Sequence, residues 1–379
     1  MAELTIKPVE TRAEQRQFLK LAWTINQEDP NWVPPLRRNL QELVGFRPHP
    51  FHDFATVRNW LAWRDGVAVG RISGIVNPTH NAKYGDQLGF FGFFECIDDQ
   101  EVAHGLFDTV RDWLKEQGLT GMRGPVNPSL NYEMGLLIDG FDTPPTFMMT
   151  HNLPYYARLI ESYGFGKAQD AYAFWGHVEM LSTLDKKLEF VIYEAIKRFD
   201  IKLRYLDRSR FRDEVKMFLH IYNASLEGTW GFTPLSDGEI EHASAAMRRL
   251  IVPELTTVAE VDGRPVAAAF GMPDYNPRIK KIDGRLFPFG FIRLLSRKKK
   301  IKLVRLISTN VLPEFQRWGI GVVILARLVP DAVKWGVKEA EFSWVLESNS
   351  LSYKSLKRGG AKLTKTYRVY DYPAPETPQ

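Results

Sequence analysis

The chain has 379 residues, of which 44% are apolar, 25% charged and 13% aromatic, a globular composition long enough for two domains. A single cysteine, Cys96, excludes an internal disulfide framework and fits a reducing compartment. The N-terminal stretch MAELTIKPVETRAEQRQ has no apolar signal core, and no run reaches the ~18–20 apolar residues of a membrane span, so a cytoplasmic protein is expected. The net charge of +5 is concentrated: residues 278–302 hold ten Lys or Arg against one Asp, leaving about −4 for the rest.

In chain order, a short strand (LTIKPV) precedes a helix over 13–25, a proline-rich stretch (EDPNWVPPL) and a second helix. TVRNWLAWRDG and VAVGRISGIVN then read as a hairpin closed by Asp-Gly. Strand 88–97 leads into a helix over 100–117, which Gly118 terminates. After TGMRGPVN comes a long polar, proline-rich loop, then the helix PYYARLIESYGF and a strand near AQDAYAFWGHV.

The second half repeats this order. Strand 201–207 precedes a helix over 213–226 and another after Ser236, and LTTVAEVDG with RPVAAAFGM forms a second Asp-Gly hairpin. Strand 302–311, a glycine turn, a helix to about 336, strand EAEFSWVLE and LSYKSLKRGGAK follow. A repeat this long indicates duplicated domains, 1–180 and 181–379, with a junction near 180–185. The halves differ by insertions at 128–152 and 276–302, which are places to look for specific function.

The turn between strand 302–311 and the next helix reads VLPEFQRWGIGVV. Closely spaced glycines at a helix start let backbone N–H groups approach one spot, where the helix dipole favours a phosphate. There is no G-K-[ST] of a P-loop, and the third glycine of a dinucleotide fingerprint is missing. With Val311, Pro313, Gln316, Arg317, Gly319 and Gly321, the stretch resembles the acyl-CoA-binding motif of the GNAT acyltransferase superfamily.

That resemblance implies an α/β (α+β) fold of two tandem GNAT-like domains, each a mixed, mostly antiparallel sheet flanked by helices. It further implies that Gln316, Arg317, Trp318, Gly319, Ile320, Gly321 and Val322 hold the CoA pyrophosphate of an acyl-CoA cosubstrate. No prosthetic group and no metal are expected. Asn349 matches the family's asparagine after the fifth strand, with Ser352 at a small position. The first half carries Asp98, Asp99 and Glu101 where a pyrophosphate would sit. It is therefore expected to be a degenerate domain that lines the acceptor channel.

Acyl transfer from a thioester to an amine needs orientation, a base and polarisation of the carbonyl. Backbone N–H groups near Asn310 and Val311 are the candidate oxyanion donors. Glu347, ending the fifth strand, is the candidate base. The family's usual thiolate acid, a tyrosine seven residues after the asparagine, falls on Leu356; Tyr353 on the same helix is the substitute candidate. Trp230, Phe232, His151 and Glu133 are candidates to face the acceptor.

The second insertion, RIKKIDGRLFPFGFIRLLSRKKKIK, mixes Phe, Ile and Leu with cations, a pattern suited to an anionic membrane surface. Peripheral contact with the inner face of the cytoplasmic membrane through 285–302 is expected, with nucleic acid as the weaker alternative. GFFGFFE, GPVNPSLNYEMGLLIDGFDTPP, HNLPYYARLIESYGF, IYNASLEGTWGFTP and EFSWVLESNS together resemble the bacterial ceramide synthase group of tandem GNAT-fold proteins. The resemblance implies transfer of a long-chain acyl group from acyl-CoA to the amine of a sphingoid base. The alternatives are a small-molecule amine acetyltransferase using acetyl-CoA and a non-catalytic module that binds lipid or nucleic acid.

Overall fold

The computed structural model describes residues 3–181 and 186–373. Most of the expected junction therefore lies outside the described residues. In chain order the elements are β1 (Leu4–Pro8), α1 (Arg12–Ile25), α2 (Arg37–Leu43), β2 (Thr56–Arg64), β3 (Val67–Val76), α3 (Pro78–Tyr84), β4 (Leu88–Cys96), α4 (Gln100–Glu116), β5 (Gly121–Gly124), β6 (Leu136–Asp139), α5 (Tyr156–Glu161) and β7 (Gly166–His177). They continue as α6 (Lys186–Phe199), β8 (Lys202–Arg204), α7 (Phe211–Ser225), α8 (Asp237–Met247), β9 (Thr256–Val261), β10 (Arg264–Pro273), α9 (Asn276–Lys281), α10 (Gly290–Leu295), β11 (Leu303–Val311), α11 (Ile320–Trp335), β12 (Glu339–Leu346), α12 (Ser350–Arg358) and β13 (Lys362–Tyr372). The mixed, mostly antiparallel sheet flanked by helices is the fold class expected.

Two compact units emerge, but they are not the consecutive halves 1–180 and 181–379. Unit 1 joins the chain up to Ala171 with Asn276–Gly290 and the segment from Lys365 onward; unit 2 is Tyr172–Tyr275 with Phe291–Thr364. The chain's last strand thus completes the first unit. Tyr370, Asp371 and Tyr372 of β13 pair antiparallel with Gly124, Arg123 and Met122 of β5. The Arg123 guanidinium clasps Asp371 with bonds of 2.7 and 2.8 Å. Strand order alone could not show this, because an eleven-residue terminal strand is compatible with either sheet.

In unit 1, β1–β4 form an antiparallel meander, and β4 runs parallel to β5. One sheet face buries Leu106, Phe107, Val110 and Trp113 of α4, which recur at helical spacing, with Tyr156 and Tyr370. The other face buries Phe18 and Leu21 of α1 with Leu40 and Leu43 of α2. Thr11 and Glu14 form a reciprocal cap that fixes where α1 begins.

The segment Asn276–Gly290, expected as part of a second-half insertion, is anchored to unit 1. Asp283 accepts from the Trp23 indole and pairs with Arg37, both at 2.5 Å. The Arg37 N–H donates to Gly284 O at 3.0 Å, and the Asn276 carboxamide donates to Pro145 O at 2.8 Å.

In unit 2 the strands run β8–β9–β10–β11–β12, followed by the part of β7 from Tyr172. The pairs up to β11 are antiparallel, and β11–β12 is parallel. Trp335 of α11 packs with Val252, Leu255 and Val304 on one face. Phe218 of α7 meets Phe270 of β10, rings 5.2 Å apart, on the other.

Candidate functional site

β11 and β12 are paired only from Leu303↔Glu339 to Leu306↔Phe342. On its other side β11 stays paired with β10 as far as Val311, with a bulge opposite Phe270/Gly271. Beyond Leu306 the two parallel strands therefore part, and one edge of β11 carries main-chain groups with no strand beside them among the described residues. A buried polar clamp sits where they separate. Arg305 Nε donates to Ser343 Oγ at 2.9 Å, its Nη2 donates to Ser343 O at 3.1 Å, and Ser343 Oγ donates to Glu341 Oε1 at 2.7 Å. Arg305 is only 2% exposed, so this clamp fixes the opening rather than decorating the surface. Sequence reasoning missed it; the signal was one Arg in β11 and Glu341 between apolar neighbours in β12.

β11 ends in a 3-10 turn over Pro313–Trp318, within the glycine turn expected from the sequence. Gly319 then takes φ +74° and starts α11 without any side-chain cap. A Cβ at Gly319 would meet nothing within 4 Å, and one at Gly321 only Val311 Cγ2 at 3.8 Å. The N–H groups of Val322 and Val323 close back on Gly319 O. Those of Ile320 and Gly321 stand at the open head of the helix. No acidic residue lies in its first turn. This cradle fits a pyrophosphate, with Arg317 exposed beside it.

The other turn residues have identifiable tasks. Gln316 Nε2 reaches back to Val311 O at 3.3 Å, and Trp318 stacks on Phe199 with ring centroids 4.0 Å apart. Both hold the turn. Asn349 caps α12 by accepting from the Ser352 N–H at 3.1 Å. Glu347 is exposed immediately after β12. The Tyr353 ring meets Tyr172 and Phe174 edge-on at 5.2 and 5.3 Å, half-buried in unit 2. Asn310 is buried, its carboxamide oxygen within 2.9 Å of Ser225 Oγ and 2.7 Å of Ser308 Oγ.

Of the acceptor candidates, Phe232 is 5% exposed and packs edge-on against Tyr222, so its place is the core of unit 2. Trp230 beside it is half-buried. Glu133 and His151 belong to unit 1. Glu133 Oε2 accepts from Asn127 Nδ2 at 3.2 Å, while His151 Nε2 lies 2.7 Å from Asp29 Oδ2. Nothing in the sequence linked positions 29 and 151.

Unit 1 also holds two shallow clefts of about 400 and 260 Å³, lined by Arg12, Arg16 and Arg47 and by Arg37, Arg38 and Arg285. Cys96 is fully buried, and burial followed by the nearby Asp99 and Asp98 pushes its thiol pKa up, away from a nucleophile's range. Among the described residues no His, Cys, Asp and Glu group could hold a metal, and no helix is long and apolar enough to cross a membrane.

No protein-family model matches the sequence. The chain superposes on a tandem GNAT protein from the clavulanic acid biosynthesis pathway with a TM-score of 0.57, at 12% identity over 99% of this chain and 100% of that one. A GCN5-related N-acetyltransferase from Sphaerobacter thermophilus gives 0.52, at 12% identity over 99% and 98% of the two chains. Parted strands leading to an uncapped glycine turn thus sit on a tandem GNAT fold.

Full-length relatives narrow the class. The chain is 34% identical to the bacterial ceramide synthase of Caulobacter vibrioides over 380 residues, covering 98% of this chain and 97% of that protein. It is 33% identical to Protein YghO of Escherichia coli over 362 residues, 94% and 92% of the two. It belongs to the bacterial ceramide synthase family.

Proposed function

We propose that this protein transfers a long-chain acyl group from acyl-CoA to the amine of a sphingoid-base-like lipid, working from the cytoplasm at the membrane's inner face. The observation that carries the reading is the 34% identity to a bacterial ceramide synthase across 98% of the chain. The chemistry of unit 2 supports it. Main-chain N–H groups of Ile320 and Gly321 with Arg317 receive the pyrophosphate. The thioester then lies along the free edge of β11, where main-chain N–H groups near Asn310 and Val311 polarise its carbonyl.

Acylating an ammonium releases two protons, one before the nitrogen attacks and one after the C–N bond forms. Glu347, at the end of β12, receives the second. Tyr353, or water, returns a proton to the departing thiolate. Unit 1 lacks an open CoA turn and serves the acceptor.

Membrane contact is supported by exposed aromatic and aliphatic side chains among cations. Phe287 is 71% exposed, Phe289 73% and Ile292 54%, within a segment containing Arg285, Arg293 and Lys298–Lys300. Isolated surface hydrophobics are ordinary, but several in one short basic stretch suit an anionic interface.

The test is to incubate purified protein with palmitoyl-CoA and sphinganine and to look for the amide by mass spectrometry. Amide formation is expected, with acetyl-CoA a poorer donor. Folded protein giving no amide, or preferring acetyl-CoA, would overturn the substrate assignment.

A further inference from the structure

His151 stands on a loop of unit 1, yet its side chain is only 3% exposed. Its Nε2 lies 2.7 Å from Asp29 Oδ2, and Asp29 also accepts from the Asn31 N–H at 2.8 Å. A carboxylate at one ring nitrogen places the hydrogen there and leaves the lone pair on the other. That other nitrogen, Nδ1, is buried and has no partner among the described residues. A buried acceptor without a donor is uncommon in a folded protein and calls for a donor from outside the described residues, water or a ligand.

The surroundings are rigid. Asn152 fixes the loop, accepting from Leu137 N–H at 2.7 Å and donating to Leu137 O at 3.1 Å. Lys365 donates to Gly140 O and Thr143 O at 2.5 and 2.6 Å, and Lys280 donates to Pro30 O. Burial, and then Lys365 and Lys280, disfavour the imidazolium more than Asp29 favours it, so His151's pKa lies below the ordinary value. At neutral pH the ring is a neutral base with its lone pair on Nδ1.

We propose that His151, oriented by Asp29, is the acceptor-amine site, with Nδ1 accepting a hydrogen from the nitrogen of a long-chain amine. This rests on the acyl-transfer reading above and assigns the first of its two protons. An ammonium R–NH3+ gives one proton to Nδ1 and keeps the N–H electron pair as its lone pair. The imidazolium passes that proton to water that enters beside Nδ1 as the product leaves. The positive field of Lys280 and Lys365 disfavours both the ammonium and the imidazolium, which drives the proton outward and leaves the neutral amine.

Two experiments test the assignment. In the first, wild-type protein with 15N-labelled histidine is titrated with sphinganine without acyl-CoA. A shift of the His151 Nδ1 resonance that saturates is expected; no shift overturns the proposal, whatever the transferase assay shows.

In the second, His151→Gln is expected to lower kcat/KM for the amine about 10²–10⁴-fold and to abolish the acid limb of its pH profile. KM for acyl-CoA should stay within about twofold, since a proton acceptor for the amine does not bind the thioester. Asp29→Asn should lower the same ratio by forcing the hydrogen onto Nδ1. A folded His151→Gln protein with an intact acid limb overturns the assignment. If wild type acylates no amine yet the Nδ1 shift saturates, the acyl-transfer reading fails and the amine site stands.

Discussion

β4 with β5 in unit 1 and β11 with β12 in unit 2 are the same parallel pair, used in opposite ways. In unit 1 the pairing covers Leu88↔Gly121 to Phe90↔Arg123, and the chain beyond β5 then fills the gap itself. The Val126 N–H donates to Phe91 O at 2.9 Å, and the Phe93 N–H donates to Asn127 Oδ1 at 2.6 Å. The next helix, α4, is capped by Asp99, which accepts from Glu101 and Val102 N–H and pairs with Arg64. In unit 2 the corresponding strand edge is left open and the corresponding helix is uncapped. One scaffold thus leaves this helix start open or seals it with its own carboxylate, and a few residues at one turn decide which.

The comparison can be broken most severely at the turn. Gly319→Asp puts a carboxylate at the N-cap position that Asp99 holds in unit 1, here on a left-handed backbone, and should lower acyl-CoA affinity about 100-fold or more, since a carboxylate then occupies the anion's position. Isothermal titration with CoA measures it, and unchanged affinity would remove the turn from the binding site.

Next in size is the clamp where β11 and β12 part. Arg305→Met removes both bonds to Ser343 at a position only 2% exposed and should cost about 1–3 kcal/mol in urea unfolding. A loss under about 1 kcal/mol would mean the clamp does not hold the strands.

Two glycines sharpen the contrast between the units. A Cβ at Gly92 in β4 would lie 1.7 Å from Val126 O, whereas one at Gly321 finds only Val311 Cγ2 at 3.8 Å. Gly92→Ala should therefore destabilise by about 1–3 kcal/mol or more as backbone is forced apart. Gly321→Ala should stabilise by up to about 1 kcal/mol because it sits inside α11, while weakening CoA binding. Equal effects of the two on stability would contradict the filled-versus-open distinction.

The smallest effect is on acid stability. His151 has a lowered folded pKa, chiefly through burial, so between that value and about 6.5 the unfolded chain binds more protons. Stability should rise with pH across that window and be lost as pH falls below about 6.5. For Asp29, burial raises the carboxyl, but the hydrogen bonds from His151 and Asn31 outweigh it and the pKa is lowered. Its contribution is present above about 3.9 and is lost as pH falls through the folded value. His151→Gln should flatten the fall in melting temperature between pH 7 and 5; an unchanged slope would mean that other groups titrate there.

What was legible in the sequence was local. The Asp-Gly hairpins appear at Asp65–Gly66 and Asp262–Gly263, all four residues with positive φ. The helix expected over 100–117 is Gln100–Glu116, and the glycine turn begins α11. These follow from caps, periodicity and backbone needs within a few residues. Partners far apart in the chain were not legible. The addition of β13 to β5, the anchoring of Asn276–Gly290 by Trp23 and Arg37, and the Asp29–His151 bond each join residues more than a hundred positions apart. Such pairs leave no periodic or capping signature. β6 was likewise hidden in a segment that read as a polar loop, because four residues are too few to show alternation.

Amide hydrogen exchange with and without palmitoyl-CoA tests the central contrast most directly. Slowed exchange is predicted at Ile320 and Gly321 and along Thr309–Val311, with no change at Glu101–Val102. Slowing at the start of α4 instead, with the head of α11 unaffected, would contradict the account.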